Sequence, residues 1–155
     1  MPKEKKSTEA IKHFLGGARY WREKADILSD EIMRLRSECE KMTSTFSDTP
    51  PALDGYTDHR QQKYDEMIDK QKEYAKKVRM CNDRLQEIQL FIDNLHSYKE
   101  REVCELFYIY FYDWQTVALK MHYSRRRIEQ YHGNALLNLL EIHKKMVENG
   151  AKPLF

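Results

Sequence analysis

Apolar residues return at alternating steps of three and four along two long stretches of the chain. The first stretch carries Ile11, Phe14, Ala18, Trp21, Ala25, Leu28, Ile32, Leu35, Cys39 and Met42. That spacing keeps one face apolar through successive heptads and predicts a single helix of roughly 30 residues. Ser7 or Thr8 is its expected cap, with charged Met1–Ser7 frayed ahead of it. Gly16–Gly17 lowers helix propensity early, yet the seam runs through it. The second stretch starts near Asp58–Gln61 and carries Tyr64, Met67, Gln71, Tyr74, Val78, Cys81, Leu85, Ile88, Ile92 and Leu95. Between the two, Thr43–Asp58 is rich in Ser, Thr, Asp, Pro and Gly, and Pro50–Pro51 cannot sit inside a helix. Residues 43–60 are therefore expected to form a loop. It is either pinned to the helices by Phe46, Leu53 and Tyr56 or free for a function of its own. Two seams of similar length fold back as a long antiparallel, coiled-coil-like hairpin over residues 8–95. Each apolar face is wider than one partner covers, so self-association is expected, with Gln71 helping to set register.

The pattern changes at Ser97. Ser97 and Glu100 have capping-box spacing for a helix over Tyr98–Tyr112, whose broad apolar face holds Val103, Leu106, Phe107 and Ile109–Phe111. Asp113 is the expected cap of a short helix, Trp114–Met121, which turns through His122–Ser124. Ser124 caps a last helix from Arg125 that keeps its period through Ile128, Tyr131, Ala135, Leu136, Leu139 and Leu140 to Glu148. Asn149–Gly150 ends it and Pro153 blocks extension. No strand is required anywhere. The expected fold is all-α: the hairpin, then a C-terminal helix-turn-helix domain over residues 97–149. Val117, Ala118, Met121, Ile128 and Tyr131 face inward, with Tyr123 plugging the turn and Ala118 small enough for a close crossing. His122 stands where the turn calls for a left-handed residue. The alternative is an ordinary helical hairpin with a solvated basic face.

Bulk charge adds little. The 155 residues carry 27 Lys and Arg against 25 Asp and Glu, a net +2. The local balance says more: between Trp114 and Asn134 the cations Lys120, Arg125, Arg126 and Arg127 face Glu129 alone. A small module binds DNA through such a patch while the rest of the chain stays neutral. Cys39, Cys81 and Cys104 are widely spaced and have neither zinc-ligand nor disulfide-framework spacing, which points to a reducing cytosol. No signal peptide or membrane span is visible. His13, His59, His96, His122, His132 and His143 are dispersed, no glycine-rich phosphate loop occurs, and carboxylates alternate with cations as on solvated helix faces. No catalytic residue, metal site or cofactor is expected.

Arg bridges guanine O6 and N7, and Gln matches adenine N6 and N7. Arg125, Arg126, Glu129 and Gln130 are the candidates for base edges. Ser124, with the amides beside it, suits a phosphate at the helix start, and Thr116, Lys120, Arg127 and Asn134 suit further phosphates. Arg127 has an alternative partner in Glu102 or Glu105, and His132 is open between DNA and solvent.

The run KEREVCELFYIYFYDWQTVALKMHYSRRRIEQYHGNALLNLLEI resembles the region of bacterial sigma factors that reads the promoter −35 element (region 4). It is more closely similar to small phage regulators of the RinA and ArpU type. The matching residues are Glu100–Arg101–Glu102, Tyr108–Tyr110, Trp114, Val117–Ala118, Tyr123–Ser124–Arg125–Arg126, Ile128, His132 and Ala135–Leu136. His122 and Asp113 depart from it, standing where glycine or asparagine and glycine are usual. The N-terminal run ARYWREKADILSDEIMRLRSECEKMTSTFSDTP also resembles such regulators. The resemblance implies a sequence-specific double-stranded DNA-binding activator of late phage or prophage genes. DNA is the implied partner; the apolar seams add further copies of the chain, as a dimer or tetramer, and contact with host RNA polymerase stays open. A small terminase subunit that recognises phage DNA for packaging, and a sigma-like adaptor that binds RNA polymerase, are the rival readings.

Overall fold

The computed structural model describes the backbone of residues 2–46 and 54–155, and the side chains of residues 7–44 and 59–155. All regular structure among them is helical. α1 spans Pro2–Phe46 and α2 spans Asp54–Asp93. α3, Tyr98–Cys104, runs directly into a π-helical turn, Glu105–Ile109. α4 spans Trp114–Met121 and α5 spans Arg125–Glu148. No helix among the described residues is long and apolar enough to cross a membrane.

The long helices are longer than expected. α1 begins at Pro2, not at a cap on Ser7 or Thr8, because nothing from Pro2 to Thr8 breaks a helix and Pro fits a first turn. The expected loop 43–60 is likewise too wide. α1 continues to Phe46 and α2 resumes at Asp54, inside the range expected to be loop at both ends. Thr43 and Ser44 do not stop α1: their hydroxyls donate back to the carbonyls of Glu40 and Lys41, at 2.9 Å each, which satisfies the side chains inside the helix. Phe46, Leu53 and Tyr56, expected to pin the loop, lie outside the described side chains.

The chain divides into two compact units, Met1–Trp21 with Asp83–Phe155, and Arg22–Asn82. The break thus falls inside both long helices, and the boundary expected near residue 96 lies within the first unit. In the unit 22–82, Leu35 and Cys39 of α1 are buried with Met67 of α2, and Met42, Tyr64, Ile68 and Tyr74 pack round them. Gln71, the polar residue in the second seam, donates from Nε2 to Cys39 Sγ at 3.4 Å, so its polar atom meets the opposite seam. Outside, Arg34 bridges Glu31 at 2.9 Å and Glu38 at 2.6 Å. Such exposed pairs are screened by solvent and add little to stability.

The other unit has the larger core. Ile11, Leu15 and Ala18 of α1 and Ile88, Phe91 and Ile92 of α2 pack with Leu95, Cys104, Tyr108 and Ile109, and with Ala135, Leu136, Leu139 and Leu140 of α5. Leu15 lies off the three-four seam yet is fully buried. Here α1 shares a core with several elements, so its apolar stripe is wider than a two-helix seam requires. Cys104 is sealed in this core, and burial pushes its thiol pKa up to about 12, far from nucleophilic use.

The predicted helix Tyr98–Tyr112 is the main local error. Ser97 Oγ caps α3 by accepting from the Glu100 amide at 3.4 Å. Glu100 does not return the capping-box bond. It is buried, and its carboxylate accepts from Asn138 Nδ2 of α5 at 2.8 Å. From Glu105 the helix widens, shown by the Tyr110 amide donating to the Glu105 carbonyl at 3.0 Å. It ends at Ile109, and Phe111 takes a positive φ of 62°. The wide turn sets Tyr108 and Ile109 into the core and leaves Tyr110 exposed, a division a regular helix over this apolar run does not give.

Removing the Phe91 ring opens the centre of the first unit. Phe91→Ala is expected to cost about 3–5 kcal/mol, whereas Leu90→Ala, at an exposed position one residue away, should cost under about 0.5 kcal/mol. Urea denaturation midpoints at constant slope check the pair.

Candidate nucleic-acid interface

The residues singled out for chemistry lie on α4, the turn after it and the start of α5, around a second buried cluster. Val103, Val117, Ala118, Met121 and Ile128 form it, edged by Leu106, Phe107, Trp114, Tyr123 and Tyr131. Asp113 caps α4, its carboxylate accepting from the Thr116 amide at 2.7 Å. The Thr116 side chain and then this amide, by hydrogen bonding to the carboxylate, hold the Asp113 carboxyl below its usual pKa, with a smaller contribution from the charge of Arg125. α4 ends in a Schellman turn. The Tyr123 amide donates to the Ala118 carbonyl at 3.1 Å and the His122 amide to Leu119 at 3.4 Å. His122 sits between them at φ 59°, ψ 38°, the left-handed conformation that glycine adopts most cheaply. Ser124 then caps α5, its Oγ accepting from the Arg127 amide at 3.2 Å.

The first turn and a half of α5 carries most of the predicted residues. Arg125, Arg126, Arg127, Glu129, Gln130 and Asn134 are all exposed, while Ile128 between them is fully buried. Arg125 Nε lies 3.1 Å from Glu129 Oε1. Arg127 Nη1 donates to Gln130 Oε1 at 3.3 Å, and its guanidinium lies 4.9 Å from the Tyr131 ring centre. The alternative pairing of Arg127 with Glu102 or Glu105 is not formed; Glu105 accepts from Gln89 instead, at 3.1 Å. Arg126 projects into solvent. The expected phosphate residues are more dispersed. Lys120 is exposed at the last turn of α4 with its ammonium 4.7 Å from the Tyr112 ring centre, and Thr116 is half-buried in the first turn. Arg127, Gln130, Tyr131, Gly133, Asn134 and Leu137 line a shallow groove along α5 of about 460 Å³.

His132 is half-buried and turns toward the aromatic residues around it. Its Nε2 lies 2.8 Å from the Tyr108 hydroxyl, and Trp114 meets its ring edge-on at 4.7 Å. Trp114 in turn stacks on Phe107 at 3.8 Å. Burial lowers the His132 pKa to about 4, with a smaller effect from Lys12. Burial likewise raises the Tyr108 pKa, so the hydroxyl stays protonated beside the neutral imidazole. Sequence reasoning missed Lys99. Its ammonium lies 5.2 Å from the Tyr123 ring centre and 5.8 Å from that of Tyr131, and the two rings meet edge to face at 5.5 Å. A lysine two residues after a cap reads as a solvated helix position, and only the packing of α3 against α5 reveals its neighbours. Among the described residues no three His, Cys, Asp or Glu side chains converge as a metal site would need.

Comparison with protein-family models, with curated proteins and with solved structures finds no match to this chain.

Two measurements check this geometry. His132 stays neutral in the fold where the unfolded chain already takes up a proton. Its contribution to stability is therefore complete above about pH 6.5 and is lost as pH falls toward 4. Between those limits the protein should lose roughly 2–4 kcal/mol more than His132→Gln does, measured by denaturation at several pH values. At the turn, His122→Gly should raise stability by about 0.5–1 kcal/mol, the relief of left-handed strain exceeding the entropic cost of glycine. His122→Val should lower stability by about 1 kcal/mol or more, since a β-branched residue is strained there.

Proposed function

We propose that α4, its turn and α5 form a helix-turn-helix that binds double-stranded DNA, with the start of α5 entering the major groove. The observation that carries this reading is the exposed cationic first turn of α5. Arg125, Arg126 and Arg127 follow a serine cap and a tight turn, while Ile128 anchors the same turn in the buried cluster. An acid is absent from that first turn, where the helix dipole would favour one. A cationic start is unfavourable for the isolated helix but suits phosphates and guanine edges. Arg125, Arg126, Glu129 and Gln130 are assigned to base edges. Thr116, Lys120, Ser124, Arg127 and Asn134 are assigned to phosphates.

The long helices α1 and α2 are read as an antiparallel hairpin that joins copies of the chain. A dimer or tetramer would offer two reading heads to spaced half-sites, which raises affinity without new contacts. With the resemblance to RinA- and ArpU-type regulators, this makes the chain a non-catalytic phage or prophage activator of late genes in the bacterial cytoplasm, working with host RNA polymerase.

Arg126→Ala tests the reading. It should weaken binding to a selected DNA site by about 1–3 kcal/mol, roughly 5- to 150-fold, with the unfolding midpoint unchanged. Selection of bound fragments from phage DNA should enrich a site upstream of a late operon. Enrichment of a packaging start, together with a ring of many subunits by solution mass, would assign the chain to the terminase class instead. DNA affinity that Arg125→Ala and Arg126→Ala together leave unchanged at every salt concentration would remove the DNA reading.

A further inference from the structure

Lys99 and Arg127 approach the same aromatic ring from different elements. Lys99 stands in the first turn of α3, and its ammonium lies 5.8 Å from the centre of Tyr131. Arg127 stands four residues before Tyr131 on the same edge of α5, with its guanidinium 4.9 Å from that centre. Tyr123, from the turn, completes the group through its edge-to-face contact with Tyr131 at 5.5 Å. Two cations drawn to one ring repel each other, and ordinarily a carboxylate lies between them. None does so among the described residues: Arg127 donates to the neutral Gln130, and the groups acting on Lys99 are the two tyrosines.

The Tyr131 phenol carries the same signature. The hydrogen bond from Arg127 comes first among the effects that lower the Tyr131 pKa, with Tyr123, the charge of Arg127 and that of Lys99 contributing. Lys99 is held above its ordinary pKa, first by its hydrogen bond to Tyr123. Four donors from three elements therefore stand together: an ammonium, a guanidinium and two phenolic hydroxyls. All belong to one compact unit, and the groove lined by Arg127, Tyr131 and Asn134 adjoins them.

We propose that Lys99, Tyr123, Arg127 and Tyr131 form a phosphate-binding site that takes a backbone phosphodiester of duplex DNA beside the groove entered by α5. The proposal rests on the DNA reading for its source of phosphate. Arg126 and Gln130 share the outward ridge of α5, and Arg127 and Tyr131 share the next edge round the helix. A helix lying in the major groove turns such an edge toward one of the flanking strands. Charged and phenolic donors there set orientation on the duplex without reading sequence. Lys99 extends the DNA contact to α3, outside the two helices that otherwise make it.

The full-length chain with Lys99→Gln, Lys99→Arg or Tyr131→Phe tests this against duplex DNA and against inorganic phosphate. Lys99→Gln should weaken binding about three- to tenfold, equally for specific and unrelated duplexes, and should reduce the log–log salt slope by about 0.9. Lys99→Arg should restore both, and Tyr131→Phe should give a smaller uniform loss. Thermal midpoints should stay within about a degree or two of the parent. An unchanged salt slope in Lys99→Gln, with or without a lowered midpoint, overturns the site and marks Lys99 as a packing residue; the DNA reading then still stands on Arg126→Ala. Should the parent bind no duplex, the DNA reading falls, and inorganic phosphate decides the anion site. Shifts of the Tyr123 and Tyr131 ring resonances that Lys99→Gln abolishes uphold it, and their absence overturns it.

Discussion

The contact between Tyr108 and His132 ties the first unit together. Tyr108 reaches it from a π-helical turn, and His132 from the middle of α5. Phe107, the neighbour of Tyr108, stacks on Trp114 at the first residue of α4, and Trp114 closes on His132. One aromatic group thus joins the end of the π turn, the start of α4 and the centre of α5. Burial keeps the phenol protonated and the imidazole neutral on either side of this hydrogen bond. Were the helix regular through Glu105–Ile109, each side chain after the turn would be rotated by one position, and Tyr108 would point elsewhere. The wide turn places Tyr108 against α5 and Ile109 in the larger core at once.

What could be read from the chain divides by the range of the interaction responsible. α4 and α5 appear with the bounds the sequence implies, because Asp113, Ser124 and Gly150 act on amides or torsions within a few residues of themselves. The left-handed His122 was legible for the same reason: the turn required that conformation of whichever residue stood there. Interactions across the fold were hidden. Glu100 has the spacing of a capping box, but Asn138, 38 residues away, takes its carboxylate. Leu15 falls off the heptad because α1 shares its core with more than one neighbour. The π turn gave no signal, since an apolar run such as Leu106–Phe111 suits a regular helix equally well. At the candidate interface, the exposed cations of α5 followed from periodicity around Ile128. Lys99 did not, being separated from Tyr123 and Tyr131 by more than twenty residues.

The electrostatics of the interface differ from those of the long helices. On α1 and α2, cations stand three or four residues from acids and pair with them, as Arg34 does with Glu31 and Glu38, and Lys77 with Glu73. Around the α4–α5 turn the cations rest instead on aromatic rings: Lys120 on Tyr112, Lys99 on Tyr123 and Tyr131, and Arg127 on Tyr131. An aromatic face attracts a cation without neutralising it. Positive charge is held in place there and stays available to a ligand. Arg125 with Glu129 is the exception, and that exposed pair is weak enough to open for a competing anion.

α5 is one unbroken helix from Arg125 to Glu148, about 36 Å long. Ile128 near one end is locked in the small cluster, while Leu139 and Leu140 beyond the middle are locked in the large core. Its cationic end is therefore part of a rod pinned at two points, and two pinned points fix the direction in which Arg125 and Arg126 are presented.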